Sequence, residues 1–240
     1  MTGQAHSSQS GAHNRLLDAL VRECPQLTGR LSRRVQKVGT ELYGEGSQIS
    51  EIYFPTRGVV SVVVRLRSGA AADAQTIGNE GMVGLPAWFG LSGSPDTVIQ
   101  QATGEMVSVA ASAFGDAVVH CDAARRILES YAVYSLRFSS QTCVCNAHHS
   151  VKERLCRWVL GSVDRAGSDE LAMSQALVAE MVGARRQTVG EILVELHRAG
   201  IISLRRNHIR VVDRSALLAL SCECYETTRA TYARLVQPLL

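Results

Sequence analysis

The chain has 240 residues, 46% of them hydrophobic, and a formal net charge of +3. That length leaves room for two modest domains with a real core, and no apolar run reaches the roughly 18 residues that a membrane span needs. Seven cysteines, an odd count without an export signal, fit a reduced cytoplasmic pool better than a disulfide framework.

Met1 to His13 is polar and rich in Ser, Gly and Gln, and lacks a basic-then-apolar signal pattern. It reads as a disordered tail on an unexported protein. Arg15 to Leu31 carries a short helical pattern, with Leu16, Leu17, Leu20 and Val21 on one side. From Val35 to Ala110 short apolar runs alternate with glycines. The runs include Glu51–Phe54, Val59–Leu66, Ala74–Ile77, Thr97–Gln101 and Met106–Ala110, which reads as a β-sandwich or barrel.

After Ser112 the texture turns helical. Ile127, Tyr131, Tyr134, Phe138, Gln141 and Cys145 recur at alternating spacings of four and three, a heptad seam. One reading is a core helix lying on its own β-domain. The stripe is narrow and long, which favours a two-stranded coiled coil between two copies of the chain. Ser150-Val-Lys-Glu153 is a capping box that starts a helix from Val151 to about Asp164. Asn146 to His149 then forms a hinge.

Ser174 is a good N-cap for a short helix ending at Met181, and Gly183 supplies a tight turn. A second helix runs from about Arg185 to Ala199, with Val189, Ile192, Leu193 and Leu196 inward and Arg185, Arg186, Gln187, Thr188 and Glu191 outward. Gly200 ends it. Ile201–Ser203, a basic turn over Leu204–His208 and Ile209–Val212 follow as a wing carrying Arg205, Arg206 and His208. Helix, glycine turn, polar-fronted helix and wing make a winged helix-turn-helix, whose second helix can enter a major groove. Seven arginines between Arg185 and Arg214 face only Glu191, Glu195 and Asp213, the electrostatic footprint of a phosphate backbone.

At Met181-Val-Gly-Ala-Arg-Arg-Gln-Thr-Val-Gly-Glu-Ile-Leu193 and Ile52-Tyr-Phe-Pro-Thr-Arg-Gly-Val-Val-Ser61 the sequence resembles the Crp/Fnr superfamily of bacterial regulators. The resemblance implies an α+β fold with an N-terminal double-stranded β-helix (jelly roll) of the cyclic-nucleotide-binding type. A long dimerisation helix and a C-terminal winged helix-turn-helix follow. The expected division is a β-roll over 14–120, dimer helix and hinge over 121–149, and the DNA-binding module with a C-terminal helix over 150–240. The family works as homodimers on two-fold, palindromic double-stranded DNA, touching RNA polymerase where it activates. Arg186 falls on the family's base-contacting arginine, Gln187 on a position usually acidic, and Glu191 where some members have a second arginine. Ser174, Arg185 and Thr188 complete the expected DNA surface.

The family's cyclic-nucleotide cassette is altered. The segment starts near Gly81 and keeps Gly84, but Leu85 or Pro86 falls where a glutamate holds the ribose, and Asp96-Thr97 where Arg-Ser holds the phosphate. Asp96 repels an anion that an arginine would pair. Cyclic AMP is therefore not the expected effector, which stays unassigned, and no cofactor is expected. No GxSxG elbow, P-loop or HExxH motif points to an enzyme. A signalling module without a DNA role conflicts with the recognition segment.

A thiol- or metal-responsive sensor is the other alternative. Cys145, His148 and His149 lie together at the hinge, but packing and helix termination explain them as well, so no metal site is expected. Cys143 and Cys145, like Cys222 and Cys224, are two apart, which on a helix turns the side chains about 200° from each other. Cys24 alone cannot supply the N-terminal cysteine cluster of the family's iron–sulfur branch.

Overall fold

The computed structural model describes residues 13–240, so the tail expected at Met1–His13 lies, His13 apart, outside the described residues. Asn14 caps α1 (Arg15–Glu23) by accepting from the Leu17 N–H at 2.9 Å. Its amide nitrogen donates to the carbonyls of Pro55 and Gly81, both at 2.8 Å, so the cap also pins the helix to the β-domain. The helical pattern expected to reach Leu31 stops at Glu23, because Pro25 has no amide hydrogen to continue it. Pro25–Arg30 form a 3-10 turn instead.

Among the described residues seven strands build the roll: β1 (Ser32–Gln36), β2 (Glu41–Tyr43), β3 (Glu51–Pro55), β4 (Val59–Arg65), β5 (Ala71–Ile77), β6 (Thr97–Ala102) and β7 (Gly104–Ala110). They pair antiparallel in two sheets, β1-β7-β3 and β2-β6-β4-β5. The short helices α2 (Leu85–Trp88) and α3 (Ala111–Val118) close the roll. Gly58 has φ +79°, and a Cβ there would lie 2.7 Å from the Ala102 carbonyl. Only glycine fits this backbone-to-backbone corner.

The near-continuous apolar run of β4 follows from burial on both faces. Val60 joins the interior of the roll with Phe54, Ile77 and Met106. Val59 and Val63 pack outward with Leu155 and Val159 of α5 (Val151–Ala166).

The long helix α4 (Asp122–His148) has 27 residues. Ile127, Tyr131, Tyr134, Phe138 and Cys145 are buried inside the single chain, and Gln141 is half-buried. This corrects the expected dimer seam. Tyr131 lies against Gly81 and its hydroxyl accepts from the Met82 N–H at 3.1 Å. Tyr134 stacks edge-on against Tyr232 of α9 (Cys224–Leu235), with ring centroids 5.1 Å apart. The stripe is apolar because α9 and the roll cover it from two sides. The opposite side of α4 exposes Val133, Leu136 and Val144.

α5 opens with the expected capping box: Ser150 Oγ accepts from the Glu153 N–H at 3.3 Å, and the Ser150 N–H donates to Glu153 Oε2 at 2.8 Å. After it come β8 (Glu170–Ala172), α6 (Gln175–Val182), α7 (Arg186–Arg198), β9 (Ile202–Arg205), β10 (His208–Val211) and α8 (Arg214–Ala219). The sheet order β8-β10-β9 adds to the wing a third strand that the sequence pattern does not announce.

Arg165, at the end of α5, ties these parts together. Its Nε donates to Glu80 Oε1 at 2.8 Å, its Nη2 to the Tyr134 hydroxyl at 3.2 Å and its Nη1 to the Gly161 carbonyl at 3.0 Å. The guanidinium also covers the Phe138 ring, 5.1 Å from its centroid. Burial alone would lower its pKa, but the Glu80 carboxylate and Tyr134 hold it above its ordinary value. The Tyr232 hydroxyl donates to the Glu80 carbonyl at 3.0 Å, adding α9 to the network. Arg165→Met leaves the buried Glu80 carboxylate unpaired and is expected to cost about 3–5 kcal/mol in urea unfolding. A loss below about 1 kcal/mol, the range of exposed pairs, would contradict this role.

Candidate nucleic-acid interface and sensor cavity

The Ser174 hydroxyl accepts from the Leu177 N–H at 3.2 Å and caps α6. Gly183, at φ +64°, ends α6 in the left-handed conformation. Arg185 is the extended residue before α7, and Val189, Leu193 and Leu196 bury that helix's inner stripe. The first turns of α7 therefore face solvent. Arg185, Arg186, Gln187 and Glu191 are exposed and Thr188 is half-buried. Gln187 Nε2 donates to Glu191 Oε1 at 3.1 Å, so two candidate base readers are tied to each other.

The wing turn is tighter than expected. His208 pairs with Arg205 across the hairpin, leaving only Arg206 and Asn207 as the turn. Asn207 takes φ +57°, a conformation asparagine tolerates better than most residues. Arg205 and Arg206 are exposed. His208 sits instead in β10, its Nδ1 2.9 Å from Glu170 Oε1 on β8. Among the described residues, Arg185, Arg186, Arg198, Arg205, Arg206 and Arg210 enter no ion pair, whereas Arg214 pairs with Asp164 at 2.7 Å. Six guanidinium groups on one module are thus left without internal counter-charge.

The roll encloses a cavity of about 140 Å³ between its strands and α4. Gly84, Leu85 and Asp96 line it, with Gln75, Tyr43 and Ser135. Gly81 and Thr97 do not join the lining: Gly81 is pressed against the Tyr131 ring, and Thr97 is buried in β6. No arginine, lysine or histidine is among the lining residues. Burial, and then the neighbouring Glu45 charge, raise the Asp96 carboxyl above its ordinary pKa. The cavity is well below the roughly 300 Å³ at which small-molecule sites begin.

Two features of the structure lie beyond what the sequence makes legible. One is the Arg165–Glu80–Tyr134 network, whose members stand far apart in the chain. The other is the convergence of Cys145 and His149 with Cys222 and Cys224. The sequence places Cys145 near His149 at the hinge and shows Cys222 and Cys224 as a doublet, but carries no sign that the two groups meet.

Residues 153–220 match the family model described as a Crp-like helix-turn-helix domain. No curated protein matches the chain. Among solved structures, FixK2 from Bradyrhizobium japonicum superposes with a TM-score of 0.67 at 19% identity, covering 80% of this chain and 98% of that one. A CRP-family transcriptional regulator from Thermus thermophilus, TTHB099, gives 0.64 at 15% identity over 78% of this chain and 96% of its own. CLP from Xanthomonas campestris, described as a c-di-GMP responsive global regulator, gives 0.61 at 17% identity over 80% and 98%. At such identities the likeness establishes a shared fold.

Proposed function

From the Crp/Fnr regulator fold of this chain and its Crp-like helix-turn-helix domain, we propose that the protein is a sequence-specific DNA-binding transcription regulator acting as a homodimer. The observation that carries this reading is the solvent-facing first turn of α7, flanked by arginines without internal partners. Arg186 and Gln187 are assigned to base edges, because arginine pairs bidentately with guanine and glutamine with adenine. Arg185 and Thr188 approach phosphates. Glu191 reads a base or excludes others. Arg205 and Arg206 take the phosphates under the wing. His208 stands two positions after Arg206, in β10, facing Glu170. The Ser174 oxygen is occupied by its cap, which leaves its O–H free for a phosphate.

A second copy of the chain is assigned to the exposed face of α4. Val133, Leu136, Ser140, Cys143 and Ala147 lie on this face with heptad spacing, and all are exposed. Two such helices side by side would set two recognition helices on a two-fold axis, which suits a palindromic site. In a protein that activates, RNA polymerase would be a further partner. No described helix is long and apolar enough to cross a membrane.

Control by cyclic AMP is not part of this reading, since the roll's cavity is small and offers Asp96 where a phosphate needs a cation. Cyclic AMP is therefore expected to leave the Tm of the full chain unchanged. A ligand at a hundred times its Kd would stabilise it by about 2.7 kcal/mol, so a rise of several degrees would contradict this point.

The dimer and the DNA are tested together by fluorescence anisotropy and sedimentation. The wild-type chain is expected to sediment as a dimer and bind labelled random-sequence duplexes with affinity that falls steeply with salt. Leu136→Arg is expected to sediment as a monomer and bind roughly a hundredfold more weakly, having lost its second module. A dimeric Leu136→Arg variant would overturn the assigned face. Absence of salt-dependent binding by the wild type would overturn the function.

A further inference from the structure

Four ligand-type side chains converge where α4 ends. Cys145 lies in its last turn, and His149, one turn on, is its C-cap. Cys222 follows α8 and Cys224 opens α9. Two cysteines two apart diverge on a helix, but α9 begins only at Cys224. Cys222 stands outside the helix, so both sulfurs can turn toward α4. All four ligand atoms lie within 4.8 Å of one another. Cys145 Sγ is 3.5 Å from Cys222 Sγ, and Cys224 Sγ is 3.7 Å from His149 Nδ1. A tetrahedral zinc ion with Zn–S bonds of about 2.3 Å holds its sulfurs about 3.8 Å apart. Two of the separations thus already match a zinc tetrahedron, and the 4.8 Å limit on the rest leaves at most about 1 Å to close.

Its surroundings fit the same ion. Cys145, Cys222 and Cys224 are at most 4% exposed. Glu223 Oε2 lies 3.0 Å from His149 Nε2. A proton on Nε2, held by this carboxylate, leaves the Nδ1 lone pair pointing at the sulfurs, the usual support of a metal-bound histidine. Gln141 Nε2 donates to Cys224 Sγ at 3.0 Å. Three thiolates, a neutral imidazole and a divalent ion leave one net negative charge, and the Arg154 and Arg157 cations act on Cys145 from α5. Cys143 and His148, their neighbours in sequence, are exposed and take no part.

We propose that Cys145, His149, Cys222 and Cys224 bind one zinc ion in a closed, structural site. With four protein ligands it has no open position for catalysis. The ion would staple the segment between α8 and α9 to the end of α4. It would thereby fix α9 along α4 and the angle at which α5 departs, at Ser150, into the DNA-reading module. This site stands independently of the DNA-binding reading.

The full chain, purified under reductant and without chelator, is expected to carry about one zinc per protomer by elemental mass spectrometry. Cobalt(II) added to the metal-free chain should give the intense visible absorption of a tetrahedral thiolate site. Cys222→Ser and Cys224→Ser should lose both signals, whereas Cys143→Ser and His148→Ala should keep them. Glu223→Gln removes no ligand and touches only the surface, so it reports even where a cysteine variant fails to fold. It should weaken metal affinity about 10–100-fold. Trace zinc with no cobalt spectrum in the wild type would overturn the site. So would undiminished metal in Cys222→Ser, or a Cys145–Cys222 disulfide in the protein isolated without reductant.

Discussion

The buried pair of Arg165 and Glu80 is the constraint around which the rest of the chain is arranged. Two opposite charges with side chains only 14% and 6% exposed are costly to desolvate. Arg165 offsets its share with three hydrogen bonds. Among the described residues the Glu80 carboxylate has Arg165 alone, through Oε1, and its Oε2 is without a partner, so its burial depends on this one cation. Here the geometry draws on four parts of the chain. Glu80 comes from the segment after β5, Arg165 from the end of α5, Tyr134 from α4, and Tyr232 of α9 donates to Glu80's own carbonyl. The roll, the long helix and the first helix of the helix-turn-helix half therefore meet at one guanidinium. None of them can shift far without stranding a charge.

That junction explains why α4 presents two different faces. The inner face is claimed by the roll and by α9, so its aromatic residues are core. The outer face holds Val133, Leu136 and Val144, which no other described residue covers. A helix bound on one side and apolar on the other is a natural axis for pairing two copies. The same inward packing bears on the cavity of the roll. Ser135 of α4 reaches its wall and accepts from Gln75 Nε2 at 3.0 Å, linking the cavity to the helix.

The legibility of the chain tracks how local each determinant is. The capping box at Ser150 and Glu153, the cap at Ser174, and the helix-turn-helix with Gly183 at its turn depend on residues three or four apart, and all stand where the sequence places them. The wing is legible too, but its turn reads too wide, because Leu204 and Arg205 look like loop and pair as strand. The seam of Ile127, Tyr131, Tyr134 and Phe138 shows the limit of periodicity. A heptad stripe states that one face is covered and is silent about what covers it. The cysteines mislead for a related reason. The divergence of Cys222 and Cys224 assumes a helix through both, and the helix starts at the second. Arg165 and Glu80, 85 residues apart, carry no local signature at all.

Base reading by the first turn of α7 is tested most directly by selecting bound sites from a random DNA pool with the wild type and with Arg186→Ala in parallel. A two-fold palindrome is expected for the wild type. The variant is expected to lose preference at one base pair of each half-site, at a cost of about 1–3 kcal/mol. An unchanged consensus with uniformly weaker binding would place Arg186 on a phosphate, and no enriched sequence from the wild type would contradict sequence-specific recognition itself.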